Sequence, residues 1–195
     1  MKVIMKNLFL IIGAPGSGKT TDAEIIAEQN ENIAHYSTGE LLRAEVASGS
    51  ELGKIIGKRM SAGELVPVEV ALNTIVKAIN RSTCNTILID GYPRSDEQMM
   101  GLDTVLKNEL NITLKSVIEV VVSEETAMNR VLGRNRGADD SIEVFKNRMS
   151  VYNEPLKGIQ EFYNSKNILC KISGEESIEV VTKKMKDLII SKTSA

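Results

Sequence analysis

Short apolar runs alternate with longer amphipathic stretches along the 195-residue chain. The apolar runs lie at 8–12 (LFLII), 33–36 (IAHY), 86–90 (TILID), 117–122 (VIEVVV) and 168–172 (ILCKI). Helical periodicity is found between and after these runs, over 19–29, 39–48, 67–80, 96–108, 124–134, 141–163 and 176–192. Strands of five or six residues that alternate with helices predict βαβ units and therefore a parallel sheet flanked by helices.

Two segments interrupt this alternation. Residues 37–67 contain two short helical patterns and no strong strand, and residues 134–140 (RNRGADD) are polar and irregular. We therefore predict one domain with a core at 1–36, 68–133 and 141–195, a helical insertion at 37–67 and a short lid-like segment at 134–140. Irregular segments of this kind are candidates for moving parts of a site.

Composition adds limits to this picture. A hydrophobic share of 42% and a charged share of 26% are typical of a soluble globular domain. The net charge of −2 gives no electrostatic reason to expect nucleic acid or an anionic membrane as a partner. Since no apolar stretch approaches the roughly 18 residues that span a bilayer, and no cleavage site precedes the glycine-rich segment, we predict a cytoplasmic protein. The helices show no conspicuous leftover apolar stripe, so we expect a monomer.

The segment GAPGSGKTT at 13–21 directly follows the first apolar run and opens the first helix. It fits the P-loop pattern G-x-x-x-x-G-K-[ST] from Gly13 to Thr20. Glycines let several backbone N–H groups point into one concavity, and the amides of the following helix face the same anion. Lys19 would reach the outer phosphates, while Thr20 or Thr21 would face Mg²⁺; the sequence leaves open which of the two.

Asp90 ends the third apolar run, and the turn Gly91-Tyr92-Pro93 leads from it to Arg94. Ligands of open parallel sheets bind beyond the carboxyl ends of the strands, so Arg94 and Lys19 should meet in one crevice. A carboxylate at this edge is placed to hold Mg²⁺ through water, which is the role that we predict for Asp90.

Arginines at helix ends and loops supply further positive charge, but the sequence offers no strong general base. The one histidine, His35, lies within a predicted strand. A hydroxyl acceptor would often need a base, whereas a phosphate acceptor is already an anion and needs cations around it. This pattern favours phosphoryl transfer from one phosphate to another.

Motifs in a fixed order extend the prediction to nearly the whole chain. They are GAPGSGKTT at 13–21, STGELLR at 37–43, MSAGELVP at 60–67, DGYPRSDEQ at 90–98, RVLGR at 130–134 and the acidic pair at 139–140 with Arg148 after it. With them the chain resembles adenylate kinases of the nucleoside monophosphate kinase family, in their short-lid form. The resemblance implies a P-loop α/β three-layer sandwich with a five-stranded parallel sheet, and the reaction of Mg·ATP with AMP to give two ADP.

The resemblance also implies a role for each matching residue. The ATP-binding set would be Gly16, Ser17, Gly18, Lys19, Thr20, Thr21, Arg130, Arg134 and Gly174. The AMP-binding set would be Thr38, Arg43, Glu64, Leu65, Val66, Gly91, Arg94, Gln98, Arg136 and Arg148. Lys19, Arg94, Arg134, Arg136 and Arg148 would act on the transferring phosphoryl group. Arg130 would stack on the ATP base, and Asp139 and Asp140 would hold the arginines in position. Asp90, through water, and Thr20 would support the metal.

The chain departs from the family pattern at two places. Thr20 follows the P-loop lysine where bacterial relatives commonly have glycine, and RGADD sets Arg136 one residue farther from the acidic pair than in the family. With two cysteines in the chain, a four-cysteine lid zinc is excluded on ligand count. Two alternatives stay open: a UMP/CMP kinase of the same family, disfavoured by Thr38 and Gln98, and a nucleotide-binding switch without turnover, which would not need arginines around a second phosphate.

Overall fold

The computed structural model describes residues 5–109, 111–134 and 141–193. The strands in these ranges are Lys6–Gly13 (β1), Ile33–Ser37 (β2), Thr86–Asp90 (β3), Ile112–Val121 (β4) and Leu169–Ser173 (β5). The helices are Lys19–Glu28 (α1), Thr38–Ala47 (α2), Glu51–Ser61 (α3), Val68–Arg81 (α4), Asp96–Asn108 (α5), Glu124–Gly133 (α6), Ile142–Ser165 (α7) and Ile178–Thr193 (α8). The predicted five-stranded α/β architecture is confirmed.

All pairings in the sheet are parallel, and the strand order is β2-β3-β1-β4-β5. The central strand β1 has β3 on one side and β4 on the other, so the chain is wound in opposite directions from it. A crevice forms at such a switch point, beyond the carboxyl ends of the strands. The P-loop motif follows β1 and therefore opens into this crevice.

The core has two halves, one on each face of the sheet. Leu10 of β1 belongs to a cluster that includes residues of α4, α5 and α7, whereas its neighbour Phe9 belongs to one that includes α1 and α8. Both side chains are fully buried. A strand that is covered on both faces reads as a continuous apolar run, which explains why β1 could be recognised from the sequence.

Strand β4 begins at Ile112, well before the apolar run at 117–122 that predicted it. The first half of the strand is less buried than the second, with Ile112 buried, Thr113 exposed, and Leu114 and Lys115 partly buried. Ile112 pairs with Lys6, so β4 starts level with β1. The prediction was wrong about this boundary because it relied on continuous hydrophobicity.

Helices α2 and α3 lie between β2 and α4, where the sequence predicted two short helices in an insertion. Every helix in the described ranges is too short or too polar to cross a bilayer. The cytoplasmic location remains a prediction.

Candidate active site

The phosphate loop contains glycines at positions where the backbone conformation is unfavourable for other residues. Gly16 and Gly18 have positive φ values of 84° and 93°, which favour glycine over other residues. A Cβ added to Gly16 would lie 2.3 Å from the carbonyl oxygen of Ala127, so α6 packs directly on the loop. Gly18 is the residue before α1, and the free amides of that helix start face the crevice.

Lys19 is the centre of a dense set of positive charges. Its Nζ donates to the carbonyl of Ala14 at 3.2 Å. Burial lowers the pKa of Lys19 to about 8, opposed by the negative charge of Asp90 and reinforced by Arg94, Arg148 and Arg134. Neighbouring positive charges disfavour one another's protonated forms, and an anion bound among them would stabilise those forms.

Asp90 is buried beside Lys19 and is tied to strand β2. Nε2 of His35 donates to Oδ2 at 2.6 Å, the hydroxyl of Ser37 donates to Oδ1 at 3.3 Å, and Thr20 also hydrogen-bonds the carboxylate. Burial acts to raise the pKa of Asp90, but the His35 hydrogen bond and the charge of Lys19 outweigh it and lower the pKa below 3.8. The carboxylate is therefore negative at neutral pH.

These contacts answer which threonine faces the acidic residue. Thr20 contacts Asp90, while Thr21 is exposed and lies on the wall of the crevice. His35 was missed as a partner because the sequence does not reveal that β2 lies next to β3. In the observed register Ser37 is level with Asp90, and His35 is two residues earlier on the same side of the strand.

One cavity, the ATP-side cavity, extends from the phosphate loop to the start of α8. All the predicted ATP-binding residues line it: Gly16, Ser17, Gly18, Lys19, Thr20, Thr21, Arg130, Arg134 and Gly174. Arg130 is fixed across it, because its Nη2 donates to the carbonyl of Gly174 at 3.0 Å and its Nη1 to the carbonyl of Ser17 at 3.4 Å. The guanidinium plane is thus positioned before any ligand arrives.

The turn after Asp90 positions Arg94 through backbone contacts. Nε of Arg94 donates to the carbonyl of Gly91 at 2.8 Å, and a Cβ at Gly91, whose φ is 73°, would lie 2.8 Å from Nη2 of Arg94. The Arg94 backbone N–H donates to Oε1 of Gln98 at 2.8 Å. Burial lowers the pKa of Arg94, against the charge of Asp90, and Arg43 lowers it further.

Two adjoining cavities, together called the AMP-side cavity, lie between this turn and the insertion. The predicted AMP-binding residues among those described line it: Thr38, Arg43, Glu64, Leu65, Val66, Gly91, Arg94, Gln98 and Arg148. Arg136, Asp139 and Asp140 lie outside the described residues, and their roles remain predictions.

Four cations line both the ATP-side and the AMP-side cavity: Lys19, Arg43, Arg94 and Arg148. They come from α1, α2, the turn after β3 and α7. The two cavities therefore meet at a positively charged junction. Such an arrangement positions and neutralises reacting anions, which is most of what catalysis of phosphoryl transfer requires.

The family model for adenylate kinase matches residues 11–168. An adenylate kinase of Campylobacter lari is 65% identical over 185 residues, covering 95% of this chain and 97% of that protein. One of Wolinella succinogenes is 64% identical, covering 96% and 100%, and one of Nautilia profundicola is 60% identical, covering 96% and 98%. The chain belongs to the adenylate kinase family. It is accordingly a phosphotransferase of the nucleoside monophosphate kinase type, as the motifs predicted.

The sequence analysis did not predict several of the residues that line the two cavities. On the ATP side they include Asp22, Glu176, Ser177, Ile178 and Val181, and on the AMP side they include Ala71, Tyr152 and Pro155. Most of these are ordinary apolar or helix-start residues without a distinctive motif. Asp22 had a detectable signal, because it is an acidic residue one turn into the P-loop helix. It is buried, accepts a hydrogen bond from Thr182 at 3.0 Å, and has its pKa raised by burial.

Proposed function

We propose that the chain transfers the γ-phosphoryl group of Mg·ATP to AMP and forms two ADP, and so helps to maintain the balance of adenine nucleotides. The observation that carries the proposal is the shared junction, where Lys19, Arg43, Arg94 and Arg148 line both cavities. A binding module for one nucleotide would not need arginines from three separate elements around a second anion position.

On the ATP side, the backbone amides of 16–21 and the Lys19 ammonium bind the phosphates. Arg130 stacks on the adenine, a role supported by its two hydrogen bonds to backbone carbonyls, which fix the guanidinium plane. Gly174 lies beside the base, and its lack of a side chain is required there, because an added Cβ would approach Val120 to 2.7 Å.

On the AMP side, Arg43 and Arg94 bind the phosphate, and the segment 64–66 with Thr38 and Gly91 encloses the nucleoside. Gln98 selects adenine. Since Oε1 of Gln98 already accepts from the Arg94 backbone, the donor Nε2 is the group left for an acceptor nitrogen of the base.

During transfer, Arg94, Arg134 and Arg148 stabilise the charge on the moving phosphoryl group, together with Arg136 as the family resemblance implies. The AMP phosphate attacks as an anion, so no residue has to remove a proton from it. The segments 37–67 and 134–140 act as insertion and lid that exclude water from the site.

The residues around Asp90 fit a magnesium ion that arrives with ATP. Asp90 is ionised, Thr20 adjoins it, and the described residues contain no group of three or more His, Cys, Asp or Glu side chains arranged to hold a metal. Mg²⁺ usually keeps several waters and takes its other ligands from phosphates and one or two carboxylates. When bound, it neutralises charge on the β- and γ-phosphates. Asp90 would orient its waters, and Thr20 would lie next to it. We also propose that the chain acts as a monomer.

The proposal is tested by measuring ADP formation from Mg·ATP with AMP, UMP and CMP separately, with an EDTA-treated sample as the metal-free control. We expect AMP to be the best acceptor and the EDTA sample to be inactive. If UMP and CMP were the better acceptors, the chain would be a pyrimidine nucleotide kinase. Binding of ATP without ADP formation from any monophosphate would instead indicate a non-catalytic module.

A further inference from the structure

The end of helix α3 in the insertion contacts the second turn of helix α7, although the two are far apart in sequence. Nδ2 of Asn147 donates to the carbonyl oxygen of Ala62 at 2.5 Å, across 85 residues of chain. Ala62 is the C-cap of α3, and carbonyls at the end of a helix have no partner within it. Asn147 therefore supplies a hydrogen bond that the insertion cannot make by itself.

Gly63 brings the backbone of the insertion against Arg148. A Cβ added to Gly63 would lie 3.2 Å from Cγ of Arg148, 3.3 Å from Nδ2 of Asn147 and 3.4 Å from the carbonyl oxygen of Val144. Its φ of 72° also disfavours other residues. The backbone at Gly63 therefore packs against the aliphatic part of the Arg148 side chain. Arg148 lines both cavities.

The two sides of this contact carry different parts of the proposed site. Residues 64–66 directly follow Gly63 and line the AMP-side cavity, whereas Arg148 directly follows Asn147 and lies at the junction. We propose that Asn147 is a positioning residue, which docks the insertion on α7 and thereby sets the AMP-side wall and Arg148 in register for transfer. This inference rests on the proposed function and deepens it.

The first test replaces Asn147 and uses Asn153 as the matched control. Both are exposed asparagines of α7, so Asn153→Ala reproduces the change in helix composition without the contact to Ala62. We expect Asn147→Ala to raise the KM for AMP about fivefold, the usual worth of one hydrogen bond, with the KM for ATP and the Tm unchanged. Asn147→Asp should raise it further, because a carboxylate oxygen would face the carbonyl oxygen of Ala62.

The second test separates the contact at Gly63 from its backbone conformation. Gly49 has the same φ of 72° but no atom within 4 Å of an added Cβ, so Gly49→Ala carries the strain alone. We expect Gly63→Ala and Gly49→Ala to lower the Tm similarly, and Gly63→Ala alone to lower kcat, by about tenfold, through displacement of Arg148.

The outcomes distinguish failure of the inference from failure of the proposed function. Wild-type protein that forms no ADP from ATP and AMP would overturn the proposed function itself. Active wild type with Asn147→Ala matching Asn153→Ala in the KM for AMP would overturn the positioning role alone. A Tm loss with equal rises in both KM values would show a general structural role instead, and would also overturn it.

Discussion

The ATP side and the AMP side of the junction are built in different ways. On the ATP side, one continuous segment, 15–22, forms the wall at the phosphate loop, and its shape follows from glycine conformations and the start of α1. The AMP side is assembled from segments around 38–43, 60–66, 91–98 and 148–159. It is held by contacts between distant parts of the chain, such as the hydrogen bond from the Thr38 hydroxyl to the carbonyl oxygen of Asp90 at 2.8 Å.

This difference determines which substitutions should affect the ATP side and which should affect the AMP side. A wall made from local backbone keeps its shape when distant parts of the fold change, so substitutions there should act through the side chain that is removed. A wall made from several segments also depends on the caps and turns that position them. Substitutions far from the phosphates should therefore affect AMP more than ATP.

The largest effect is expected for Arg94→Ala. Arg94 lies at the junction, and under the proposed function its charge acts on the reacting phosphates, so we expect kcat to fall about a thousandfold or more. Binding of a non-hydrolysable ATP analogue, measured by calorimetry, should change much less than kcat, because the phosphate loop and Lys19 remain in place on the ATP side. Arg81→Ala, which removes an exposed arginine at the end of α4, is the control. Turnover of Arg94→Ala close to that of Arg81→Ala would contradict the placement of Arg94 at the reacting group.

The next largest effect is expected for Lys19→Met, about a hundredfold in kcat, with weaker ATP binding than in Arg94→Ala.

The same variant tests the lowered pKa of Lys19. In the ligand-free protein, folded Lys19 releases its proton near pH 8 while unfolded Lys19 keeps it to about 10.5. The unfolded chain then binds more protons, so this lysine makes the free energy of unfolding rise with pH between 8 and 10.

Urea unfolding at pH 7.5, 8.5 and 9.5 measures that rise. The difference in unfolding free energy between wild type and Lys19→Met should grow in favour of the wild type across this range. A difference that is constant with pH would mean that Lys19 keeps an ordinary pKa in the folded protein. The window stops near pH 10, because above it the raised pKa values of Tyr92, Tyr152 and Tyr163 act in the opposite direction.

A smaller, base-specific effect is expected for Gln98→Met, which keeps the side-chain volume and removes the amide. We expect the KM for AMP to rise about tenfold, because the base and the Arg94 backbone both lose a partner. The KM for ATP serves as the internal control and should not change. Equal loss for both nucleotides would place Gln98 outside adenine recognition.

The smallest effect is expected for Ser95→Ala, and it addresses the comparison most directly. The Ser95 hydroxyl caps α5 by accepting from the backbone N–H of Gln98 at 3.2 Å. Ser123 caps α6 on the ATP side by accepting from Thr126 at the same distance. Each Ser→Ala change should cost about 1 kcal/mol in urea unfolding. Only Ser95→Ala should raise the KM for AMP, about twofold, and an equal shift in both variants would remove the proposed difference between the sides.

The ATP-side wall could be predicted from the sequence because its determinants are contiguous. The spacing of the glycines and Lys19 after an apolar strand fixes the loop, the helix start and the anion site together. Asp90 could be placed at the same edge because parallel strands end together. Arg94 could be placed by the same argument, but the other AMP-side residues came from the family resemblance, since Arg43 and Gln98 carry no local signal of a shared cavity.

The sequence could not predict which buried side chains contact each other between strands, or between a strand and a helix. His35 contacts Asp90 only because β2 pairs with β3, and strand order is not encoded in local periodicity. Glu119 stands within an apolar run, yet it is buried with Gln160 donating to both carboxylate oxygens at 2.9 Å and Lys171 at 3.4 Å. These partners lie on α7 and β5, and their positions follow from the packing of the whole chain.

The crowding of cations at the junction has a practical consequence for handling the protein. Its overall charge of −2 suggests a weakly acidic molecule, but Lys19, Arg43, Arg94 and Arg148 give the crevice a concentrated positive charge. We expect sulfate or inorganic phosphate in a purification buffer to bind in that crevice and to compete with nucleotide. Affinities should therefore be determined in buffers whose anions are large and monovalent, and a heparin or phosphocellulose column should retain the protein in spite of its net charge.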